Sequence, residues 1–479
     1  MMNFSFCSAS SAFKRSTSFS TVVSAAVSAP GISCCSVSGL FFNSFSSMVQ
    51  KFILLLCTNG LPYSQKESKC RFLSRETQIS GISAKVYLCG MKKVVLKRKI
   101  SNRVINGHPW VFSNEIDMAE ESLTAGDIAT VYTYDDKFIG KGYANPQSRI
   151  PIRILTRKQN EDINAAFFLK KIEEAWAYRK KIGYEENCRL IFGEADGLPQ
   201  LIIDKFNDYF VIQTLALGID RWKPEIVEAL NTVFLPKGIY ERNDVPIREL
   251  EGMEQKKGFL SAPFDTRIPI TENGLKFIVD VERGQKTGYF LDQRDNRRAI
   301  QHIVKGADVL GAFCYTGTFE IHAAHYGAKH VLGLDISESA VSQARENAAL
   351  NNLTNISFQA INAFDALKQW SKEGKQWDVV MLDPPSFTKT RDNIQKAISG
   401  YKEINLRGMK LVKPGGFLVT SSCTNLVQPE LFHEIIDMAA KDARRVIRQV
   451  VFQSQSADHP IIHGMENTNY LKFLIVQVL

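Results

Sequence analysis

Asp378-Val-Val-Met-Leu-Asp-Pro-Pro-Ser-Phe387 is the stretch that decides how this chain folds. Val379 to Leu382 is short, apolar and rich in β-branched residues, the composition of a strand buried in a parallel sheet. Asp383 ends the run, and Pro384-Pro385 stops the strand and stiffens the loop beyond it. Ligands of open α/β sheets bind outside the carboxyl ends of the strands. Asp383 is therefore expected at the ligand edge, beside a rigid turn able to clamp a flat ring, with an aromatic at Phe387. Taken alone, Asp-Pro-Pro also fits an ordinary capped turn, so the rest of the chain must decide its meaning.

Upstream, Asp308-Val-Leu-Gly-Ala-Phe-Cys-Tyr-Thr-Gly-Thr-Phe319 followed by Glu320-Ile-His-Ala-Ala-His325 reads as strand, glycine-bearing turn and helix. Gly327 closes the helix, and His330 to Asp335 reads as the next strand, ending in an acid. An acid about twenty residues beyond such a turn is placed to accept hydrogen bonds from ribose hydroxyls. The turn lacks the G-x-G-x-x-G pattern: between Gly311 and Gly317 stand Phe313 and Tyr315, which obstruct the close backbone approach a pyrophosphate needs. Adenosine without a diphosphate suits this turn better than a dinucleotide, and S-adenosylmethionine fits.

A third element is Gly415-Gly-Phe-Leu-Val-Thr-Ser-Ser-Cys423, with Pro414-Gly415-Gly416 as a turn, Phe417 to Thr420 as a strand and Cys423 at its ligand edge. A lone cysteine is usually an inert packing residue. Its neighbours change that reading. Carbon 5 of a pyrimidine is a poor nucleophile, and a thiolate added at C6 turns the ring into an enamine-like species able to attack a methyl sulfonium. Asp383 could hold the N3/N4 edge of the ring, and a base must later take the C5 proton.

From about Met91 to Leu479 the chain resembles the bacterial large-subunit (23S-type) rRNA cytosine-5 methyltransferases, which join a PUA domain to a class I methyltransferase domain. The resemblance rests on Gly107-His-Pro-Trp-Val-Phe-Ser-Asn-Glu-Ile116, Glu241-Arg-Asn-Asp-Val-Pro-Ile-Arg-Glu-Leu-Glu-Gly252 and Gly284-Gln-Lys-Thr-Gly-Tyr-Phe-Leu-Asp-Gln-Arg-Asp-Asn-Arg297. It rests also on the stretches quoted above, on Gly400-Tyr-Lys-Glu-Ile-Asn405 and on Ala457-Asp-His-Pro460. It implies Cys423 as nucleophile, with Asp383, Pro384, Pro385 and Phe387 lining a cytosine pocket. It implies that Gly311, Phe313, Tyr315, Thr316, Gly317 and Asp335 hold S-adenosylmethionine, with Lys286, Asp292 and Arg294 closing over its methionine end. Where that family usually has an acid near adenine, this chain has Asn362, which can donate and accept; Asp365 lies three residues on.

Formal charge is +9, but residues 1–90 hold eight Lys/Arg against two Asp/Glu, leaving only +3 on the other 389 residues. Net charge is thus weak support for an RNA partner; local patches matter more. One candidate patch is Lys92-Lys93, Lys97-Arg98-Lys99 and Arg103, which a solvated edge strand explains equally well. Six of nine cysteines also fall in the first ninety residues, leaving Cys188, Cys314 and Cys423 without zinc or disulfide spacing. Hence no metal is expected, Cys314 is expected to be packing, and the enzyme reads as a reduced, cytoplasmic protein.

Residues 1–90 are serine-rich and lack an acid before Glu67, as in a plastid or mitochondrial transit peptide; Met91-Lys-Lys-Val-Val alternatively reads as a bacterial-type start. Either way the segment is expected to be disordered. Its apolar run Phe52 to Cys57 is too short for a membrane span, and no membrane partner is expected.

Residues 91–160 read as a small PUA-like β-barrel that grips RNA, with Trp110 and Phe112 in its core or facing RNA. Residues 161–270 read as an α+β connector, with a helix over Ala165 to Ile182 and a tight turn at Gly193 to Pro199. Residues 271–479 read as an α/β methyltransferase domain: a Rossmann-like, mostly parallel sheet closed by an antiparallel hairpin. There Asp458-His459 is expected to anchor a loop or to help proton transfer. Ribosomal RNA is the expected partner and a homodimer the candidate assembly. Three other readings stay open: methylation of an exocyclic nitrogen, which leaves Cys423 dispensable; a non-catalytic RNA-binding assembly factor; and a dinucleotide oxidoreductase, disfavoured by the crowded turn.

Overall fold

The structure, a computed structural model, describes residues 92–98, 102–388 and 390–479. The expectations for residues 1–90, Met91 and Lys99 lie outside these described residues.

Strands Lys92–Leu96 (β1), Trp110–Val111 (β2), Ile116–Ala119 (β3), Ile128–Tyr132 (β4), Phe138–Ala144 (β5) and Ile152–Thr156 (β6) form one sheet, ordered β2-β6-β5-β4-β1-β3. Its core holds Val94, Leu96, Val111, Val131 and Ile152. Only a glycine lets β5 and β6 approach as they do, because a Cβ on Gly142 would lie 2.0 Å from the Arg153 carbonyl oxygen. Much of the expected basic patch is neutralised: Lys92 meets Glu120 at 3.8 Å, Lys93 meets Asp136 at 2.7 Å and Arg103 meets Glu115 at 2.9 Å. Lys97 and Arg98 are exposed and have no carboxylate in ion-pair range among the described residues.

Helix Ala165–Lys181 (α1) begins where Asn164 caps the amide of Phe167. With helix Lys223–Phe234 (α2) it covers a second sheet of Asn187–Phe192 (β7), Leu201–Phe206 (β8), Tyr209–Thr214 (β9), Gly238–Asn243 (β10) and Lys256–Phe259 (β11). Tyr143 and Leu155 of the first sheet belong to this second core, packed with Phe168, Leu198 and Ile219. Trp110 is half-buried and donates its indole N–H to Glu194 at 2.8 Å, so it joins the two sheets. The turn at Gly193 to Pro199 is structural: Asp196 there accepts two hydrogen bonds from the buried Arg179.

The expected boundary at residues 270/271 falls inside a strand, Arg267–Glu272 (β12), which pairs with Leu275–Asp280 (β13). This hairpin shares one core with Phe206, Val211 and Tyr240 on one side and Ile321, Val341 and Phe358 on the other. The composition of β12 alternates like any half-buried strand, and nothing local shows that both neighbours claim it.

The third sheet is built from Asp308–Ala312 (β14), His330–Asp335 (β15), Ile356–Ala360 (β16), Trp377–Leu382 (β17), Val412–Ser422 (β18), Ile447–Gln453 (β19) and Lys472–Val478 (β20). The order is β16-β15-β14-β17-β18-β20-β19, with β20 antiparallel to both neighbours and the other pairs parallel. Chain order reverses on either side of β14, which is where such sheets open a ligand crevice. Helices Arg294–Ala299 (α3), Thr318–His325 (α4), Glu338–Leu350 (α5), Ala363–Glu373 (α6), Ile394–Leu411 (α7) and Pro429–Ala443 (α8) flank it. Pro414-Gly415-Gly416 is not a turn before a strand, as expected, but lies within β18: pairing with β17 jumps from Val412 to Phe417 across a single residue, Asp378. Lys413 reaches that Asp378 at 2.9 Å, which anchors the irregularity.

Candidate active site

Five strand ends meet at one cavity of about 480 Å³. Ala312 ends β14 with Phe313 just after it, Asp335 ends β15, Asn362 follows β16, Asp383 follows β17 and Cys423 follows β18, and all of them line it. The turn after β14 is held by unusual backbone: Phe313 and Tyr315 both have positive φ, at 66° and 49°. Asp335 stabilises this turn by accepting the Tyr315 amide at 2.9 Å, and the Tyr315 hydroxyl accepts the amide of Gln285 at 2.9 Å. Gly317, at φ +76°, starts α4 where a Cβ would strike the Phe358 ring at 2.7 Å. Gly311, Thr316 and Gly317 shape this turn without lining the cavity.

Asp383 sits under Oδ1 donors from two directions, the Gln293 amide at 3.0 Å and the Ser421 hydroxyl. Burial pushes its carboxyl up to about 6; the Asp292 charge adds to this, while the Ser421 bond, Arg297 and Lys286 oppose it. Cys423 is partly exposed to the cavity. Burial raises its thiol and the Asp383 and Asp292 charges add, while Lys286 and Lys472 favour the thiolate. The buried Lys472 donates to the carbonyls of Thr424 at 2.7 Å and Tyr470 at 2.8 Å, and burial lowers its ammonium to about 8. Thr424 bonds the Tyr401 hydroxyl at 2.7 Å and Ser386 at 2.9 Å, tying the cysteine loop to the Asp-Pro-Pro loop.

Lys286 and Asp292 line the cavity, and Lys286 lies 4.7 Å from the centre of the Phe290 ring. Arg294 does not line it. Its guanidinium covers the Tyr184 ring at 4.6 Å, lies 3.6 Å from Glu272 and donates to the Asn187 carbonyl, binding the second sheet to the third. Pro384 and Pro385 line the cavity, but Phe387 does not: its ring packs at a tilt against Tyr401, with centroids 4.4 Å apart, and buttresses the loop. Asn362 lines the cavity while its oxygen caps the Phe364 amide of α6 at 3.0 Å, leaving its N–H groups for a ligand; Asp365 is outside. His459 pairs with Asp458 at 2.9 Å, and Asp458 accepts the Arg189 amide, so this pair clasps a loop to the second sheet rather than facing the cavity. Cys314 is buried, as a packing residue should be.

Gln293, Ser421, Lys472 and Glu320 were missed in the sequence. Gln293 lay inside a quoted motif, and Glu320 carried a signal: an acid in a first turn among the apolar Phe319, Ile321, Ala323 and Ala324. The buried Oδ1 of Asp292 and Oε2 of Glu320 have no hydrogen-bond partner among the described residues, so the walls that carry Lys286 also offer unmet acceptors. Those walls also offer apolar faces from Phe313, Ile336 and Phe364. A zwitterionic amino-acid end attached to a nucleoside matches that lining. Among the described residues no group of three His, Cys, Asp or Glu side chains could hold a metal ion, and no helix is long and apolar enough to cross a membrane.

Residues 255–463 match the family described as S-adenosylmethionine-dependent methyltransferase, and residues 94–157 match the PUA-like domain. The chain is 41% identical over 378 residues to ribosomal RNA large subunit methyltransferase I of Shewanella denitrificans, covering 78% of this chain and 95% of the relative. It is 38% identical over 403 residues to the protein of the same name from Alteromonas mediterranea, covering 83% and 99%. A putative methyltransferase of Streptococcus mutans shares the fold, with TM-score 0.69 and 21% identity over 81% of this chain and 100% of that one. A second solved structure, a putative methyltransferase complexed with SAH, gives TM-score 0.70 at 21% identity over 81% and 100%.

Proposed function

The chain belongs to the ribosomal RNA large subunit methyltransferase I family, S-adenosylmethionine-dependent enzymes with a PUA-like domain ahead of the methyltransferase domain, and from that premise we propose that it methylates carbon 5 of a cytosine in large-subunit ribosomal RNA. The observation that carries this reading is that Cys423 and Asp383, on adjacent strand ends, line one cavity with the residues suited to the cofactor. S-adenosylmethionine supplies the methyl group as an electrophile. Phe313, Tyr315, Asp335 and Asn362 hold its nucleoside, and Lys286 faces its carboxylate.

Cys423 adds its sulfur to C6 of the base, making C5 nucleophilic. Lys286 and Lys472 favour the thiolate against the burial that opposes it. Asp383 presents Oδ2 to the exocyclic amino group, since Oδ1 already takes two protein donors. Pro384 and Pro385 hold the ring flat. With the methyl group on C5, a base takes the C5 proton, and the electrons of that C–H bond re-form the C5–C6 double bond as the C6–S bond breaks to release the Cys423 thiolate. A cytosine in a duplex cannot reach Cys423, so the base is flipped or taken from a loop, at roughly a few kcal/mol. A ribosomal substrate places the chain wherever ribosomes are made, in the cytoplasm or an organelle.

The test is labelled methyl transfer to undermethylated large-subunit rRNA by wild type, Cys423→Ala and Cys423→Ser. Loss of 5-methylcytosine in both variants, with cofactor affinity retained, supports thiol addition. Activity surviving in either variant moves the reading to an exocyclic nitrogen.

A further inference from the structure

Glu320 has no task in the reading above, yet it is 2% exposed and lines the cavity. It stands in the first turn of α4, and its carboxyl occupies the volume that a side chain at Gly311 would take: a Cβ there would lie 2.0 Å from Oε1. Oε2 is buried with no hydrogen-bond partner among the described residues. A buried carboxyl oxygen without a donor is costly and rare, so its environment is completed by something else.

Among the described residues no side chain hydrogen-bonds that oxygen. Arg297 is the cation facing Glu320, and it is engaged by Glu272 through two hydrogen bonds at 2.6 and 2.9 Å. The other charged groups facing it are Asp383 at the end of β17 and Asp335 at the end of β15, both negative. The Cys314 thiol beside it stays protonated, because burial raises it. Burial first pushes Glu320 up to about 8; its own backbone amide and Arg297 favour the ionised form, while the Asp383 and Asp335 charges add to the effect of burial, so the free protein favours the protonated acid near pH 7. A ligand group that donates a hydrogen bond and carries positive charge would meet that oxygen in its ionised form and offset the Asp383 and Asp335 charges together.

We propose that Glu320 receives the α-ammonium of the amino-acid end of S-adenosylmethionine, and that residue 311 is a glycine so that this carboxyl can reach the strand end. The proposal rests on the assignment of this cavity to the cofactor. Lys286, with no carboxylate in ion-pair range among the described residues, supplies the opposite charge for the α-carboxylate. Together the two side chains read a zwitterion, which distinguishes a nucleoside bearing an amino acid from a bare nucleoside.

Calorimetric titration of the full chain with S-adenosylhomocysteine and with 5′-methylthioadenosine, which lacks the amino-acid end, tests it. Glu320→Gln is expected to weaken S-adenosylhomocysteine by about tenfold, the loss of one charge-assisted hydrogen bond, and to leave methylthioadenosine unchanged. At pH 7, in two buffers of different ionisation enthalpy, wild type releases about one proton on binding S-adenosylhomocysteine and Glu320→Gln releases none. A Gly311→Asp/Glu320→Ala double variant, which returns a carboxylate to the same volume, recovers affinity lost in Glu320→Ala. Unchanged S-adenosylhomocysteine affinity in Glu320→Gln, equal weakening of both ligands, or a double variant no better than Glu320→Ala overturns the proposal. Asp335→Asn separates the two levels: if it too leaves both ligands unaffected, the cavity is not the cofactor site and the underlying assignment falls.

Discussion

Ser421 donates its hydroxyl to Oδ1 of Asp383, the oxygen that also accepts the Gln293 amide at 3.0 Å. Two donors on one oxygen fix the carboxyl plane and join the end of β18 to the end of β17. Neither of these bonds engages Oδ2.

This bond sets a pH limit. The Ser421 hydrogen bond favours ionised Asp383 against burial, which holds the carboxyl at about 6. The acidic limb of kcat/KM for methyl transfer is expected near that pH, and Ser421→Ala moves it upward. A limb that stays in place in Ser421→Ala disconnects Asp383 from the limiting ionisation.

Asp383 at about 6 and Glu320 at about 8 both lie above the ordinary carboxyl range. The folded protein therefore keeps protons that the unfolded chain has released, and stability falls as pH rises, through about 6 for Asp383 and about 8 for Glu320. In the cofactor-free protein Glu320→Gln is expected to gain about 2–4 kcal/mol over wild type between pH 4.5 and 8, read as diverging melting temperatures. Parallel melting curves across that range contradict it.

Glu251 is 6% exposed and takes Arg153 at 2.7 Å, Ser148 at 2.6 Å and Asn145 at 3.0 Å, binding the second sheet's flank to the first. Glu251→Ala leaves the Arg153 charge buried and alone, and should cost about 3–5 kcal/mol in urea denaturation. A loss below about 1 kcal/mol, as for surface pairs, means that solvent reaches Arg153.

Lys472 favours the Cys423 thiolate, and its own ammonium is lowered to about 8 by burial. Lys472→Met is expected to slow alkylation of Cys423 by iodoacetamide several-fold at pH 8, since only the thiolate reacts. An unchanged rate assigns Lys472 to holding the Thr424 and Tyr470 carbonyls alone.

Deleting the first sheet is a poor test of RNA binding, because Tyr143 and Leu155 belong to the second core. Lys97→Glu/Arg98→Glu alters two exposed cations just beyond β1 that have no carboxylate in ion-pair range among the described residues. Each lost phosphate contact should lower the salt slope of rRNA binding by about one. Affinity for S-adenosylhomocysteine should not change. An unchanged slope moves the RNA path off this edge.

The sequence by itself determined the strand ends. A strand terminates where Pro384 or the turn at Phe313 denies it further pairing, and Asp335, Asp383 and Cys423 are chemical types placed by that termination. Helices α1 and α8 were legible to within a residue because caps and prolines act locally. Tertiary structure alone decided which charges survive. Arg294 and Phe387 stand one turn or one loop from the cavity, yet point into Tyr184 and Tyr401 contributed by other elements. Whether Lys93 is a free cation depends on Asp136, forty-three residues away in the chain. Glu320 became a candidate only because Gly311, on a neighbouring strand, leaves it room and burial leaves one oxygen unsatisfied. Termination and capping act between neighbours in the chain, whereas burial and pairing are set by residues far apart in it, so the first can be read along a sequence and the second only across a fold.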